Sequence, residues 1–330
     1  MDSYYMINKI TRILIVLAFA KALTSCTQES KLEEQIQAMP LQVEFVKFHE
    51  EFANAQVADL STLKREFPQF FPVYIKDSIW EAKINGKDTI QNILEQATEN
   101  AQFDYLRMKE EIELVMKHVE YYFPEFEPTP IITVLSEVDD ELKVVPTPES
   151  LIIGIDNYLG PDHELYTGIN KYKSVALDRA QLPADVALAY AKLFVPPSNE
   201  RKFMGQMIYY GKLHYVQQLF APAAPLSKLM GYPEEKMQFT IENEEYIYRY
   251  FIDKEILFKS DRELINRFLM PAPFSKFYLE IDQQTPGGVA QYIGYQIVAS
   301  YAANNNATIE DVIRTSAIDI FNKSRYKPRS

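Results

Sequence analysis

The sequence predicts an α+β protein, mostly helical, with a small mixed sheet between an N-terminal helical part and a larger C-terminal one. Three observations carry that prediction. Apolar residues recur at helical spacing through most of the chain. Residues 131–135 and 151–155 are instead short β-branched runs bounded by Pro, Asp and Gly, and 142–145 between them reads as a third strand. Finally, 47% hydrophobic and 24% charged residues suffice for a substantial core and exclude global disorder. At 330 residues the chain exceeds the usual single-domain size. We read 1–25 as a signal segment, 26–43 as a tether and 44–330 as one large globular domain. That domain comprises N-terminal helices (44–125), the sheet (126–160) and a C-terminal helical part (161–330).

Lys9 and Arg12 precede the apolar run Ile13–Ala20, which is far shorter than the roughly 20 residues that span a bilayer. A basic start followed by a short apolar run is the anatomy of a secretory signal, with Met6 an alternative start. Leu23-Thr24-Ser25-Cys26 then resembles a bacterial lipobox, with small residues ahead of the scissile bond and a thiol to carry the lipid. Cys26 is the only cysteine, so an internal disulfide and any Cys-based metal or redox pair are excluded. Losing the signal removes Lys9, Arg12 and Lys21 against Asp2. The more acidic remainder is unsuited to a second, electrostatic anchor on anionic lipid.

Gln28, Glu29, Lys31, Glu33 and Glu34 make the following stretch polar, as a tether requires. Val43, Val46, Phe48 and Phe52 then share one side of an expected helix. Pro68 and Pro72 break the next segment, Asn85-Gly86 marks a turn, and a long helix is expected over 101–123. From Pro183 onward helices are expected at 183–194, 200–220, 234–253, 261–269, 287–304 and 308–321, with Pro286-Gly287-Gly288 opening the fifth. Gly211, Gly287 and Gly294 point to close approach of neighbouring segments.

The net charge of −12 leaves no basic face for nucleic acid. The four histidines, His49, His118, His163 and His214, have no partner at i+4, and no His-Glu-x-x-His occurs. A nucleophile elbow, a phosphate-binding loop and a dinucleotide fingerprint are absent too. The most chemical-looking stretch is Gly154–His163, where Asp156, Asn157, Tyr158, Asp162 and His163 leave a strand together. Oxygen ligands there suit a cation loop, but turn chemistry accounts for every residue type and is the favoured reading. Tyr209 or Tyr210 with Lys212 is a second candidate for polarising a substrate oxygen, although packing explains such an aromatic stripe more simply. Glu245 and Arg249 are spaced as an exposed helical pair, and the basic tail Lys323, Arg325, Lys327 and Arg329 reads as a solvated terminus.

These segments together resemble the gliding-motility lipoprotein GldB family. They are the lipobox at Cys26, Ile153–Gly160, Met207–Lys212, Tyr248–Phe251, Ala272–Phe277 and Lys323–Pro328. The resemblance implies a cell-envelope lipoprotein, associated with surface motility, held to a bacterial membrane by its N-terminal lipid. The outer membrane is favoured over the inner. The family also looks like a distant, degenerate relative of zincin-type metalloproteases, with Tyr210-Gly211-Lys212-Leu213-His214 standing where the zinc motif lies. At most the second histidine remains, and Gly211 takes the place of the general-base Glu. Two ligands do not make a catalytic zinc site.

The function expected is therefore non-enzymatic and cofactor-free: binding of envelope or motility proteins in a protease-like cleft. Strand 151–156 would add a peptide by β-augmentation. Asp156, Asn157, Tyr209 and Tyr210 would line the cleft, with Tyr158, Lys212 and Glu245 as further binding candidates. Two alternatives stand beside it. One is a cryptic metallohydrolase with His214, Glu244, Glu245 and His163 as ligands; the other is a glycan- or lipid-binding lipoprotein.

Overall fold

A computed structural model describes residues 31–329. The signal segment and Cys26 lie outside the described residues. Residues 31–37 form helix α1, in which Gln37 donates to Glu33 at 2.8 Å. A separate compact unit begins at Val43.

Four strands form one mixed sheet: β1 (Phe45–Val46), β2 (Ile131–Val134), β3 (Val144–Pro146) and β4 (Leu151–Gly154), in the order β1-β2-β4-β3. β1 and β4 run parallel to β2, with Ile131 opposite Leu151, while β3 pairs antiparallel with β4, Val144 opposite Ile153. The three expected strands are present. β1 is an addition: Val46 was expected on a helix, but Phe45 and Val46 pair with Ile131 and Ile132, and the helix starts only at Phe48. A two-residue strand carries too little sequence to show alternation.

Around the sheet stand α2 (Phe48–Ala53), α3 (Leu60–Glu66), α4 (Asp77–Ile84), α5 (Thr89–Asn100) and α6 (Tyr105–Tyr122). Asp88 and Asp104 cap α5 and α6 by accepting backbone N–H groups of the first turn. Phe48, Phe52, Leu60, Leu63 and Phe71 form a core of their own beneath Ile132.

The C-terminal part contains α7 (Lys171–Ser174), α8 (Leu182–Phe194), α9 (Phe203–Phe220), α10 (Leu226–Met230), α11 (Glu234–Glu242) and α12 (Glu244–Asp253). It continues with α13 (Arg262–Phe268), α14 (Val289–Asn305), α15 (Ile309–Arg314) and α16 (Ala317–Lys323). α9 and α14 are apolar around most of their circumference, so both are enclosed by other elements. They cross at Gly211 and Gly294, where a side chain on either would meet the other helix's backbone. Gly287 makes room for Ala272 in the same way.

Two expected helices are each broken in two. Residues 234–253 divide at Asn243, whose side chain turns back to donate to the Phe239 carbonyl and ends α11. Residues 308–321 divide at Thr315 and Ser316. There the Lys212 ammonium donates to the Ile313 and Thr315 carbonyls (2.8 and 2.7 Å), and Ser316 caps α16. Lys323, Arg325, Lys327 and Arg329 are exposed, as a solvated basic tail requires, but the tail itself is docked. Tyr326 packs edge-on against Tyr248 and donates to Glu244 at 2.9 Å, and the Arg329 N–H donates to the same oxygen at 3.0 Å.

Candidate functional site

A cavity of about 530 Å³ opens where α8, α9, α10 and the first turn of α11 meet the loops 271–273 and 286–287. Leu188, Leu229 and Met230 give it apolar walls; Pro233, Pro271, Pro273 and Pro286 lie along it, and His214, Gln217, Asp185 and Lys143 supply polar groups. Such a concave, mostly apolar space with a few converging polar groups is the usual form of a binding site.

His214 is buried on α9, with Nδ1 2.8 Å from Gln217 Oε1 and Nε2 2.8 Å from Gln291 Oε1. Each glutamine is fixed from behind, because Gln217 donates to the Ala184 carbonyl (2.9 Å) and Gln291 to the Leu269 carbonyl (2.6 Å). Four gaps in this chain each need one N–H. However its amide is turned, each glutamine supplies one, and a neutral imidazole supplies one more. Only an imidazolium completes the chain. Burial opposes that charge and, despite both glutamines, holds the imidazole below its ordinary value. His214 therefore ties α8, α9, α14 and the end of α13 together with one link unfilled when neutral.

Asp185 organises the other side. Its Oδ2 accepts from the Tyr158 hydroxyl (2.9 Å) and the Lys143 ammonium (2.7 Å), and its Oδ1 accepts from Gln181 (3.2 Å). Burial and the Asp185 charge push the Tyr158 phenol up, keeping it protonated. Lys236 donates to the Pro273 and Thr285 carbonyls (2.7 and 2.9 Å) and so braces the loops along the cavity, while burial lowers its pKa. Lys143, Tyr158 and Gln181 are thus held in place through Asp185, and Lys236 through backbone carbonyls.

The expected cleft is not assembled. Asp156 is fully buried and accepts from the Ser136 N–H (2.8 Å), the Ser136 hydroxyl (3.1 Å) and the Val138 N–H (2.6 Å). Burial raises its pKa in spite of these donors. Asn157, equally buried, donates to Ser136 Oγ at 2.8 Å. Both build a turn and neither lines the cavity, whereas Tyr158 reaches the site only through Asp185. Tyr209 and Tyr210 pack edge to face at 5.3 Å, and Tyr209 borders a different cavity of about 210 Å³ together with Lys212. Lys212 is committed to the Ile313 and Thr315 carbonyls at the end of α15. Glu245 pairs with Arg249 on the surface of α12.

Strand 151–154 lies inside the sheet between β2 and β3, so it has no free edge for an added peptide. The alternative metal ligands also stay apart. Glu244 receives the Tyr292 hydroxyl (2.5 Å) and the C-terminal tail, and His163 accepts from the Leu165 N–H (3.2 Å). Among the described residues, no three His, Cys, Asp or Glu side chains converge as metal ligands would.

Gln217, Gln291, Asp185, Lys143 and Lys236 were not foreseen. Gln217 lies one turn after His214 and was within reach of a helical reading. Gln291 lies 77 residues away, and no local pattern links the two.

The family model GldB_lipo, described as gliding motility protein GldB, matches residues 29–328. No curated protein and no solved structure matches the chain. Among the described residues, no helix is long and apolar enough to cross a membrane.

Proposed function

The chain belongs to the GldB gliding-motility family, and from that premise we propose that it is a non-enzymatic envelope lipoprotein. Cys26 carries its lipid, and it serves the motility machinery by holding a partner segment in the cavity beside His214. The observation that carries this reading is the pairing of the polar groups there. Asp185, Lys143 and Lys236 are occupied with protein partners, and Leu188, Leu229, Met230 and four prolines form apolar stretches of the wall, with Asn170, Lys171, Lys228 and Glu235 also lining the cavity. An apolar or proline-containing peptide fits such walls, because its burial needs few new polar partners. The lipid anchor rests on the signal anatomy and on the lipoprotein label of the family model.

The test is Ala176→Trp, which places an indole in the cavity from a half-buried wall position. Gliding on a surface should be lost while thermal stability and envelope abundance stay near wild type. Normal gliding by a correctly folded Ala176→Trp protein would overturn the cavity reading. Stoichiometric zinc in the purified protein, lost in His214→Ala, would overturn the non-enzymatic part.

A further inference from the structure

Pro72-Val73-Tyr74-Ile75-Lys76 forms a projecting tip between a 3₁₀ turn (Pro68–Phe70) and α4, closed by an Ile75 N–H to Pro72 carbonyl bond of 3.0 Å. Val73 is 102% exposed and Tyr74 82%. Two consecutive large apolar side chains wholly in water are costly to keep in a folded protein, and they mark a contact surface. A second such pair among the described residues, Tyr278 and Leu279, is partly engaged: Arg267 lies 4.5 Å over the Tyr278 ring, whose hydroxyl donates to Glu263. Among the described residues, no comparable ring contact or hydrogen bond holds Val73 or Tyr74.

The tip is rigid from behind. Phe71 is buried and packs 5.0 Å from Trp80, and Phe70 lies 4.7 Å from Phe48. Phe48 is also where the chain enters. Its unit begins at Val43, and the five residue-to-residue steps from Val43 to Phe48 reach at most about 18 Å. The first residue of this unit thus lies within a short reach of the cluster that holds the tip out. Lys64 is paired with Asp77 and Arg65 with Glu66, so the cation that flanks the tip is the exposed Lys76. An aliphatic residue, a tyrosine and a flanking lysine are the side chains that settle at a membrane–water interface.

We propose that Val73 and Tyr74 insert into the bilayer surface and form a second, non-covalent membrane contact that orients the anchored protein. The proposal rests on the lipid-anchored reading above. The covalent tether keeps the tip at high effective concentration near the bilayer, so a contact of two side chains is enough to fix orientation.

The experiment uses the full lipidated chain with Val73→Cys, labelled with an environment-sensitive fluorophore. The vesicles are phosphatidylethanolamine with a minor share of phosphatidylglycerol, doped with a spin-labelled quencher lipid. A label on Leu106→Cys, at an exposed position of α6, is the control. The label at 73 should shift to the blue and be quenched several-fold more than that at 106. Equal quenching at both sites, with the protein still floating on vesicles, overturns the tip and leaves the anchor standing. Chain that no longer floats, with Cys26 itself taking label, overturns the anchor; if the label at 73 then also stays in water, the tip falls with it. A label at 73 that stays in water on vesicles yet is shielded in intact envelopes assigns the tip to a protein partner, against the proposal.

Discussion

A methyl group placed on Gly211 would sit 2.3 Å from the carbonyl carbon and oxygen of Gly294, and one on Gly294 would sit 2.1 Å from the Met207 carbonyl oxygen. The crossing of α9 and α14 therefore depends on both glycines, since backbone cannot move aside as a side chain can. Gly294→Ala should cost about 1–3 kcal/mol through overpacking, the range for forcing extra atoms into a filled core. The change is read as a lower denaturant midpoint, and an unchanged midpoint would refute the crossing.

Acid should destabilise the protein before its carboxylates titrate. Burial lowers the pKa of both His49 and His214 from an ordinary value of 6.5. The unfolded chain then takes up protons that the folded chain refuses. The stability these groups contribute is complete above pH 6.5 and is lost as pH falls toward their folded values. Each contributes a slope of at most about 1.4 kcal/mol per pH unit. Urea unfolding at pH 7.5 and at lower pH measures it, and His214→Gln should flatten the curve. A pH-independent midpoint over this window would contradict the burial account.

Asp156 restrains a strained turn. Glu137 and Val138 have φ of +59° and +58°, a left-handed conformation that costs a non-glycine residue roughly 1–2 kcal/mol. The Asp156 carboxylate accepts from N–H groups on either side of Glu137. Asp156→Ala should lose about 1–3 kcal/mol by leaving those donors unpaired. Val138→Gly should recover part of that loss, because glycine adopts this φ without strain. A Val138→Gly protein less stable than its parent would contradict the argument.

The C-terminal tail should prove structural. Deleting residues 326–330 removes the Tyr326 hydroxyl and the Arg329 N–H from buried Glu244, leaving Tyr292 as its remaining partner. The expected loss is about 1–3 kcal/mol per orphaned contact, with faster proteolysis of α12. Wild-type stability of the truncated chain would show the tail to be dispensable.

How much of this was legible beforehand follows from the range of each interaction. Ile131–Val134 and Leu151–Gly154 announced themselves as strands, and Leu182–Phe194 and Phe203–Phe220 as helices, because periodicity and breakers act over a few residues. The family resemblance was legible for a similar reason, as it rests on short contiguous segments. Asn243 and Ser316 were not legible as breaks. A side chain that bonds its own backbone competes with a helix only when the tertiary setting turns it that way.

The sequence by itself therefore determined the mostly helical α+β class, the place of the sheet and the family. It also marked the two glycines at which α9 and α14 cross. Tertiary structure alone decided the chemistry of the site. Asp156 and Asn157, the polar residues that stood out most, are consumed in building a turn, while Gln291 reaches His214 across 77 residues and Lys143 reaches Asp185 across 42. Hydrogen bonds and ion pairs act between atoms within about 3 Å. Which atoms come that close is settled by the packing of α8, α9 and α14, and no local pattern along the chain records it.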